Sequence, residues 1–187
     1  MLPGISDDIV RKACEGDLRS FEAIYKATSG FVYNVALRVV NNREAAKEVA
    51  QEVFLNMYHN LKGFRFESSL KTWVYRITVN CALNRAQKTA RTRGRETEYQ
   101  DVVMAGEIVP DARTQMDEQH SSEAIASLLG MISPEQRACV VLRGIEGLSY
   151  QEIAETLKIN INTVRTRLKR AREKLLVSRK KVANEYV

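Results

Sequence analysis

Basic and hydroxyl side chains recur at helical spacing near the carboxyl end of this 187-residue chain. An apolar stripe at i, i+4, i+7 and i+11 predicts the buried side of a helix running from about Asn162 to about Lys180. The opposite face carries Arg165, Thr166, Lys169, Arg170 and Arg172. Arginine can donate two hydrogen bonds to a guanine edge, and threonine can bond a base edge or touch a thymine methyl group. This face therefore has the chemistry to read the major groove of DNA.

A short helix and a tight turn precede this basic helix. The sequence Ser149-Tyr150-Gln151-Glu152 is a capping-box pattern that opens a helix ending near Leu157, and residues 158–161 form the turn. The turn is too short for antiparallel packing, so the two helices should cross steeply, and the small Ala154 permits their close approach. The pattern favours a helix-turn-helix over an ordinary amphipathic helix pair.

The start of the basic helix is a candidate phosphate site. Free backbone N–H groups at Asn162 and Thr163 are expected to favour an anion. Arg167 lies between the two faces of the helix, so we expect it to bond phosphate rather than a base.

Positive charge is concentrated in two blocks. Residues 62–95 hold nine basic residues and one acidic residue, and residues 158–181 hold ten and one. Between them, residues 94–123 hold eight acidic and two basic residues. This distribution indicates two surfaces that contact a polyanion, joined by an acidic segment that does not contact it. Ordinary solvated helix faces would give a similar pattern.

The apolar periodicity predicts an all-α protein, because spacing near 3.6 residues dominates and proline and glycine are scarce. Expected helices cover about 7–15, a stretch from about 19 that includes the apolar residues 31–40, and then 43–60, 69–89, 124–129, 134–143, 150–157 and 162–180. Ser133-Pro134-Glu135-Gln136 is a second strong helix start. We divide the chain into a helical domain over 1–92, a flexible acidic linker over 93–120 and a helix-turn-helix domain over 121–187.

Several classes of protein are disfavoured. Cys14, Cys81 and Cys139 form no C-x-x-C pair, so neither a zinc site nor a disulfide framework is supported, and a reducing cytoplasm is expected. No secretory signal or membrane-spanning stretch is expected. The two histidines, His59 and His120, do not sit in a metal-ligand pattern, and no phosphate-binding glycine loop is present. We therefore expect no metal, no cofactor and no catalysis.

Motifs in both halves resemble one family. These motifs are residues 48–55 (EVAQEVFL), Phe64-Arg65, residues 69–77 (SLKTWVYRI) with Asn80, Leu142-Arg143, Gly147-Leu148-Ser149, Glu152-Ile153-Ala154, and residues 163–167 (TVRTR). Their order and spacing resemble the extracytoplasmic-function (ECF) sigma factors of the sigma-70 class, over about residues 5–92 and 121–178. The resemblance implies a subunit that directs core RNA polymerase to promoter DNA and helps to melt it.

The resemblance also implies residue roles. Docking on the β′ clamp helices of the polymerase is implied for Glu48, Gln51, Glu52 and Phe54, and a further contact with the β flap is implied. Reading of the −10 element is implied for Phe64, Arg65, Phe66, Glu67, Ser68, Lys71, Arg76, Asn80 and Asn84. Reading of the −35 element is implied for Arg143, Thr163, Arg165, Thr166, Arg167, Lys169 and Arg170. Trp73 could wedge between bases, but its place in an apolar stripe favours core packing.

Three positions depart from the family pattern. Glu48 stands where Asp is common, Phe66 where a small residue is common, and Asn162 where Gly is common. Asn162 should preserve its turn because asparagine tolerates left-handed backbone. The family further implies regulation by an anti-sigma factor, often at the inner face of the membrane.

Three alternatives can be compared with this interpretation, and the sequence disfavours the second and the third. A stand-alone transcription regulator would bind DNA without polymerase. A nucleic-acid enzyme such as a nuclease would need a cluster of His, Asp or Glu side chains at metal-ligand spacing. A sigma-like decoy would bind an anti-sigma factor without initiating transcription.

Overall fold

The computed structural model describes residues 4–96 and 125–185, and every regular element in these two ranges is helical. The elements are α1 (Asp7–Cys14), α2 (Leu18–Val40), α3 (Arg43–Asn60), a 3-10 turn (Leu61–Gly63), α4 (Leu70–Glu96), α5 (residues 125–130), α6 (Pro134–Gly144), α7 (Tyr150–Leu157) and α8 (Ile161–Glu185). The prediction of an all-α fold is confirmed. We call residues 4–96 the N-terminal half and residues 125–185 the C-terminal half.

Side-chain caps explain where most helices begin. Both predicted capping boxes form: Gln136 and Ser133 exchange hydrogen bonds at the start of α6, and Glu152 and Ser149 do so at the start of α7. In the N-terminal half, Asp17 accepts a hydrogen bond from the Ser20 N–H at 2.9 Å and begins α2.

The N-terminal half is a bundle in which α2, α3 and α4 pack against one another and α1 packs on α2. Fully buried valines form its centre, among them Val35 of α2, Val53 of α3 and Val74 of α4. Helix α2 runs without a break through Gly30, so the stretch from residue 19 and the apolar stretch 31–40 belong to one helix.

Helix α4 differs from its prediction in length and in burial. It ends at Glu96, seven residues beyond the predicted end near Thr89. A second side of the helix is also buried, at Tyr75, Val79 and Ala82, because α2 and the C-terminal half pack there. Trp73, which we expected in the core stripe, is only half-buried.

The C-terminal half has the predicted helix-turn-helix. Val164 and Ala171 of α8 are fully buried, and Leu168 and Leu175 are half-buried, which confirms the apolar stripe. The left-handed residue of the turn is Lys158, with φ of 52°, whereas Asn162 lies inside α8. The turn is therefore present as expected, but the left-handed conformation that we associated with Asn162 is adopted by Lys158, directly after the end of α7 at Leu157.

The two halves pack together through α6 on α2 and through α6 and α7 on α4. Buried side chains from both halves, such as Val35 and Leu142, belong to one continuous cluster. Lys71 of α4 lies 4.0 Å from the Glu146 carboxylate of the C-terminal half. Most of the predicted linker lies outside the described residues.

Candidate nucleic-acid and protein interfaces

The basic face of α8 is open to solvent along its whole predicted length. Every residue assigned to that face is exposed, namely Arg165, Thr166, Lys169, Arg170 and Arg172. Arg165 donates from Nη1 to Oδ1 of Asn162 at 3.0 Å, and Thr166 donates its hydroxyl to the Asn162 carbonyl at 2.8 Å. Asn162, in the first turn of α8, thus orients two side chains that project from the second turn.

The first turn of α8 does not offer the free N–H groups that we expected. Asn160, which precedes the helix, accepts from the Asn162 N–H through Oδ1 at 2.8 Å and from the Thr163 N–H through its carbonyl at 2.9 Å. The prediction of an open anion site at these two amides is wrong, because Asn160 caps the helix locally. Thr163 itself is half-buried.

Arg167 faces the interior of the C-terminal half. It is half-buried and lies near both the Cys139 thiol of α6 and the Glu135 carboxylate. Burial raises the pKa of the Cys139 thiol, and the Arg167 charge opposes that rise. Burial disfavours the charged form of Glu135, yet hydrogen bonds from its own backbone and from Ser133, with the Arg167 charge, lower the pKa of that carboxyl. In this arrangement Arg167 joins α8 to α6.

Arg143 lies at the end of α6, where the chain turns toward α7. Its Nη1 donates to the Leu148 carbonyl at 2.9 Å, and its guanidinium carbon lies 5.4 Å from the centre of the Tyr150 ring. The side chain is exposed. Arg143 therefore positions the turn and still presents positive charge at the surface.

The loop over residues 64–69 is held by aromatic rings. The Phe64 ring centre lies 4.8 Å from that of Phe66 and 5.4 Å from that of Trp73. Phe66 has left-handed backbone, with φ of 58°. Arg65 and Glu67 are exposed on either side of it, with 4.0 Å between their charged groups, and Ser68 is half-buried.

The predicted DNA-contacting residues of α4 are less accessible than those of α8. Lys71, Arg76 and Asn80 are half-buried, and only Asn84 is exposed. Besides its approach to Glu146, the Lys71 ammonium lies 5.6 Å from the centre of the Tyr75 ring. The packing of the C-terminal half on α4 accounts for this reduced exposure.

An apolar groove of about 700 Å³ lies between α2 and α3, and we call it the docking groove. Its lining comprises Phe21, Tyr25, Ser29, Tyr33, Lys47, Ala50, Gln51, Phe54, Leu55 and Tyr58. Phe54 is half-buried with its ring 4.5 Å from Tyr25, whereas Leu55 is 61% exposed and Tyr58 is 52% exposed.

The docking groove includes two of the four residues predicted to bind polymerase, Gln51 and Phe54. Glu52 is exposed outside it, and Glu48 forms an ion pair with Arg85 of α4. The groove also includes Tyr25, Leu55 and Tyr58, for which the sequence predicted no role. The sequence could have indicated these three residues, because they are large apolar residues that fall outside the buried stripes of their helices.

A metal-binding cluster and a membrane-spanning helix are both absent from the described part of the chain. Residues 4–96 and 125–185 contain no group of histidine, cysteine and acidic side chains that could hold a metal ion. No helix within the same two ranges is both long and apolar enough to cross a bilayer. The arrangement instead offers two basic surfaces and one apolar groove.

Comparison with known proteins agrees with the sequence motifs. Residues 24–92 match the family described as Sigma-70 region 2, and residues 122–175 match Sigma-70, region 4. The chain is 30% identical to the ECF RNA polymerase sigma factor SigW of Bacillus subtilis, over 89% of this chain and 92% of the relative. It is 31% identical to the ECF RNA polymerase sigma-E factor of Haemophilus influenzae, over 88% and 90%.

Solved structures share the fold. CnrH, solved in complex with the cytosolic domain of CnrY, aligns with a TM-score of 0.63 at 22% identity, over 93% of this chain and 96% of that one. The sigma factor RpoE of Bartonella quintana, solved with the anti-sigma factor NepR, aligns with a TM-score of 0.63 at 24% identity, over 84% and 95%. The relatives, the two matched regions and the common fold place this chain in the ECF sigma factors, the transcription initiation subunits that direct RNA polymerase to promoters.

Proposed function

We propose that this sigma factor docks on core RNA polymerase through the groove between α2 and α3, reads the −10 element with loop 64–69 and α4, and reads the −35 element with α8. The observation that carries the proposal is the basic face of α8, which is exposed while the stripe opposite to it is buried. The protein acts as a DNA-reading subunit, with no catalytic role of its own.

The docking groove has the composition of a protein interface. Leu55 and Tyr58 are large and exposed, Phe54 and Tyr25 form an aromatic floor, and Gln51 supplies a polar rim. Buried aromatic and aliphatic anchors surrounded by polar groups carry most of the affinity at such interfaces. The proposed occupants are the β′ clamp helices. Glu48 and Glu52 would add charged contacts at the edge, and the C-terminal half would contact the β flap.

The −35 contact uses the open face of α8. Arg165 and Thr166 project from the second turn, near the N-terminal end where a recognition helix reaches base edges, and Lys169 and Arg170 follow one turn later. Thr163 lies in the first turn of α8 and Arg143 near the end of α6, and we assign both to the DNA backbone. Arg167 remains among the residues that we propose for reading the −35 element. In this structure, however, its partners lie inside the C-terminal half.

The −10 contact uses the N-terminal half. Unstacking a base costs a few kcal/mol, and a protein recovers that cost by capturing the base and binding the strand with cations. Loop 64–69 supplies Phe64, Arg65, Phe66, Glu67 and Ser68, and α4 supplies Lys71, Arg76, Asn80 and Asn84. We propose that residues 1–92 form the −10 domain, 93–120 the linker and 121–187 the −35 domain.

The packed arrangement of the two halves cannot contact both elements on straight DNA. The −35 and −10 elements, about 25 base pairs apart at about 3.4 Å per base pair, are separated by roughly 85 Å. A compact chain of this length has a radius of gyration of about 16 Å. The halves therefore separate when the protein joins polymerase at a promoter, which also releases Lys71 and the rest of α4 from the C-terminal half.

Spin labels at Arg19→Cys and Arg172→Cys test this separation, because both positions are exposed and lie in different halves. Cys14, which is half-buried, is replaced by Ser, whereas Cys81 and Cys139 are buried. Binding to core polymerase and promoter DNA should lengthen the distance between the labels by tens of ångströms, as measured by pulsed dipolar spectroscopy. An unchanged distance would contradict the separation.

We further propose that an anti-sigma protein covers the docking groove and keeps this sigma factor inactive. The support is the structural likeness to RpoE of Bartonella quintana, which was solved with the anti-sigma factor NepR. The protein would act in the cytoplasm, and a membrane-bound partner would hold it at the inner face of the membrane. Recovery of polymerase alone in pull-downs under every growth condition would contradict this regulation.

The central experiment compares the protein with and without core polymerase. In vitro transcription from a pool of randomised promoters, followed by sequencing of the transcripts, should show start sites that depend on this chain. A stand-alone regulator would instead shift specific DNA without polymerase, a nuclease would cut it, and a decoy would bind polymerase or an anti-sigma factor without initiating. Failure to associate with core enzyme or to change start sites would refute the proposed function.

A further inference from the structure

We propose that Arg11 of α1 is a positioning residue that holds loop 64–69 in the shape that captures an unpaired base of the −10 element. The inference rests on the proposed function of that loop. Helix α1 lies before residue 24, where the match to Sigma-70 region 2 begins, so the match assigns Arg11 no role.

The first observation is the contact between Arg11 and Phe66. The guanidinium carbon of Arg11 lies 4.9 Å from the centre of the Phe66 ring, within the range of a cation–π interaction. Phe66 has φ of 58°, a left-handed conformation that residues with bulky side chains rarely adopt unless their surroundings hold them. Arg11 supplies part of that support from a different helix.

The second observation is a series of aromatic ring contacts that connects Phe66 to α4. Phe66 lies against Phe64, and Phe64 lies against Trp73 of α4, with ring centres 4.8 Å and 5.4 Å apart. The Phe64 N–H donates to the Leu61 carbonyl at 3.0 Å, which fixes the start of the loop. Ser69 accepts from the Thr72 N–H at 3.0 Å, which fixes its end. The row of side chains from Arg11 to Trp73 therefore joins α1 to α4 beneath the loop.

This support determines which groups the loop presents. Because Phe66 is engaged by Arg11 and Phe64, the polar groups at the tip belong to Arg65, Glu67 and Ser68. Hydrogen bonds from such groups can distinguish the edges of an unstacked base. A loop that is already ordered loses less conformational freedom when it binds, so it discriminates between bases more strongly. The ligand is an unpaired nucleobase of the melted −10 strand.

The first test uses the protein alone and the fluorescence of Trp73, the only tryptophan in the chain. Quenching of Trp73 by iodide should increase about twofold in Arg11→Ala, because loss of the exposed cation–π contact loosens the ring stack. Arg11→Lys should stay near the wild-type value. The matched control is Lys12→Ala, which removes the neighbouring exposed cation of the same helix and its bond to Asp8. Equal quenching in Arg11→Ala and Lys12→Ala would overturn the proposal.

The second test measures promoter choice with core polymerase. From a pool randomised only at the −10 element, Arg11→Ala should lower the preference for the best −10 sequence over its single-base variants by about fivefold, since ordering of the loop is lost. Discrimination at the −35 element should stay unchanged, and Arg11→Lys should restore part of the loss. Phe66→Gly relieves the left-handed strain and removes the ring, so adding Arg11→Ala to it should have no further effect.

The outcomes separate this inference from the proposed function. A loosened stack with unchanged −10 preference would overturn the role of Arg11, while wild-type initiation would still support the sigma function. Absence of initiation by the wild-type chain would refute the sigma function and, with it, this role, whichever result the fluorescence gives. A uniform loss at both promoter elements would show a merely structural role and would also overturn the proposal.

Discussion

In the C-terminal half, the side chains proposed to read DNA follow one another along a single exposed helix face. In the N-terminal half, the corresponding groups come from a loop and a half-buried helix, α4, with support from a second helix, α1. Arg165 needs only Asn162, three residues earlier, to orient it. Phe66 needs Arg11, which is 55 residues earlier in the sequence, and, through Phe64, Trp73 of the following helix.

This difference separates local from tertiary control of a binding surface. A helix face is specified by periodicity and caps, so a substitution there should affect one contact and little else. A loop with left-handed backbone is held by its surroundings, so a change on a neighbouring helix should alter its function. Substitutions at different surfaces should therefore affect different properties. Some should change polymerase binding, some promoter choice and some only stability.

The largest effect is expected at the docking groove. Leu55→Glu places a charge among the apolar side chains of the groove, where loss of an interface anchor costs about 2 kcal/mol or more, or roughly 30-fold in affinity. Binding to core polymerase can be measured by fluorescence anisotropy. The control is Leu18→Glu, which changes an equally exposed leucine that does not line the groove. Equal losses for both variants would show that the groove is not the docking site.

The next largest effect is expected on α8. Arg165→Ala should remove about 1–3 kcal/mol of discrimination at one −35 base pair, or roughly tenfold to a hundredfold. Transcription from promoters mutated at each −35 position measures this loss. Arg172→Ala, two turns farther along the same helix, should weaken all promoters about equally. If Arg172→Ala alone relaxed the −35 preference, the helix would be inserted in a different register.

Helix caps offer a smaller and matched comparison. Ser149 caps α7 and Ser69 caps α4, each by accepting a backbone N–H hydrogen bond. Replacement by alanine should lower the free energy of unfolding by about 1 kcal/mol in either half. Ser149→Ala should then reduce use of the −35 element, and Ser69→Ala should reduce use of the −10 element. Chemical denaturation measures the free energy of unfolding. If Ser149→Ala reduced use of the −10 element and Ser69→Ala reduced use of the −35 element, the proposed roles of the two halves would be contradicted.

The smallest effect concerns Glu135, whose pKa lies below its ordinary value although burial opposes this shift. A carboxyl with a lowered pKa in the folded state stabilises the fold above its ordinary pKa and loses that contribution as the pH falls through the lowered value. Glu135→Gln should therefore cost about 0.5 kcal/mol near neutral pH, and this cost should vanish at an acidic pH where the carboxyl is protonated in the folded state too. Thermal unfolding at both pH values tests this, and Glu155→Gln, exposed on α7, is the control. An equal cost at both pH values would exclude a charge effect.

Much of the C-terminal half could be predicted because its determinants are close in sequence. Two capping boxes, an apolar stripe and one exposed basic face all formed as expected. The wrong prediction of free amides there also has a local cause: Asn160 caps α8 and accepts hydrogen bonds from the N–H groups of Asn162 and Thr163, two and three residues later. Arg167 was harder to place, since its partners Cys139 and Glu135 lie on another helix.

The sequence by itself determined the helical fold, the helix starts, the basic face of α8 and the motifs of the family, because each depends on residues a few positions apart. Only the tertiary structure decided the second buried side of α4, the groove formed by Tyr25, Phe54 and Leu55, and the support of Phe66 by Arg11. These features need side chains from separate helices at fixed distances. Periodicity along one helix carries no information about which helix lies beside it.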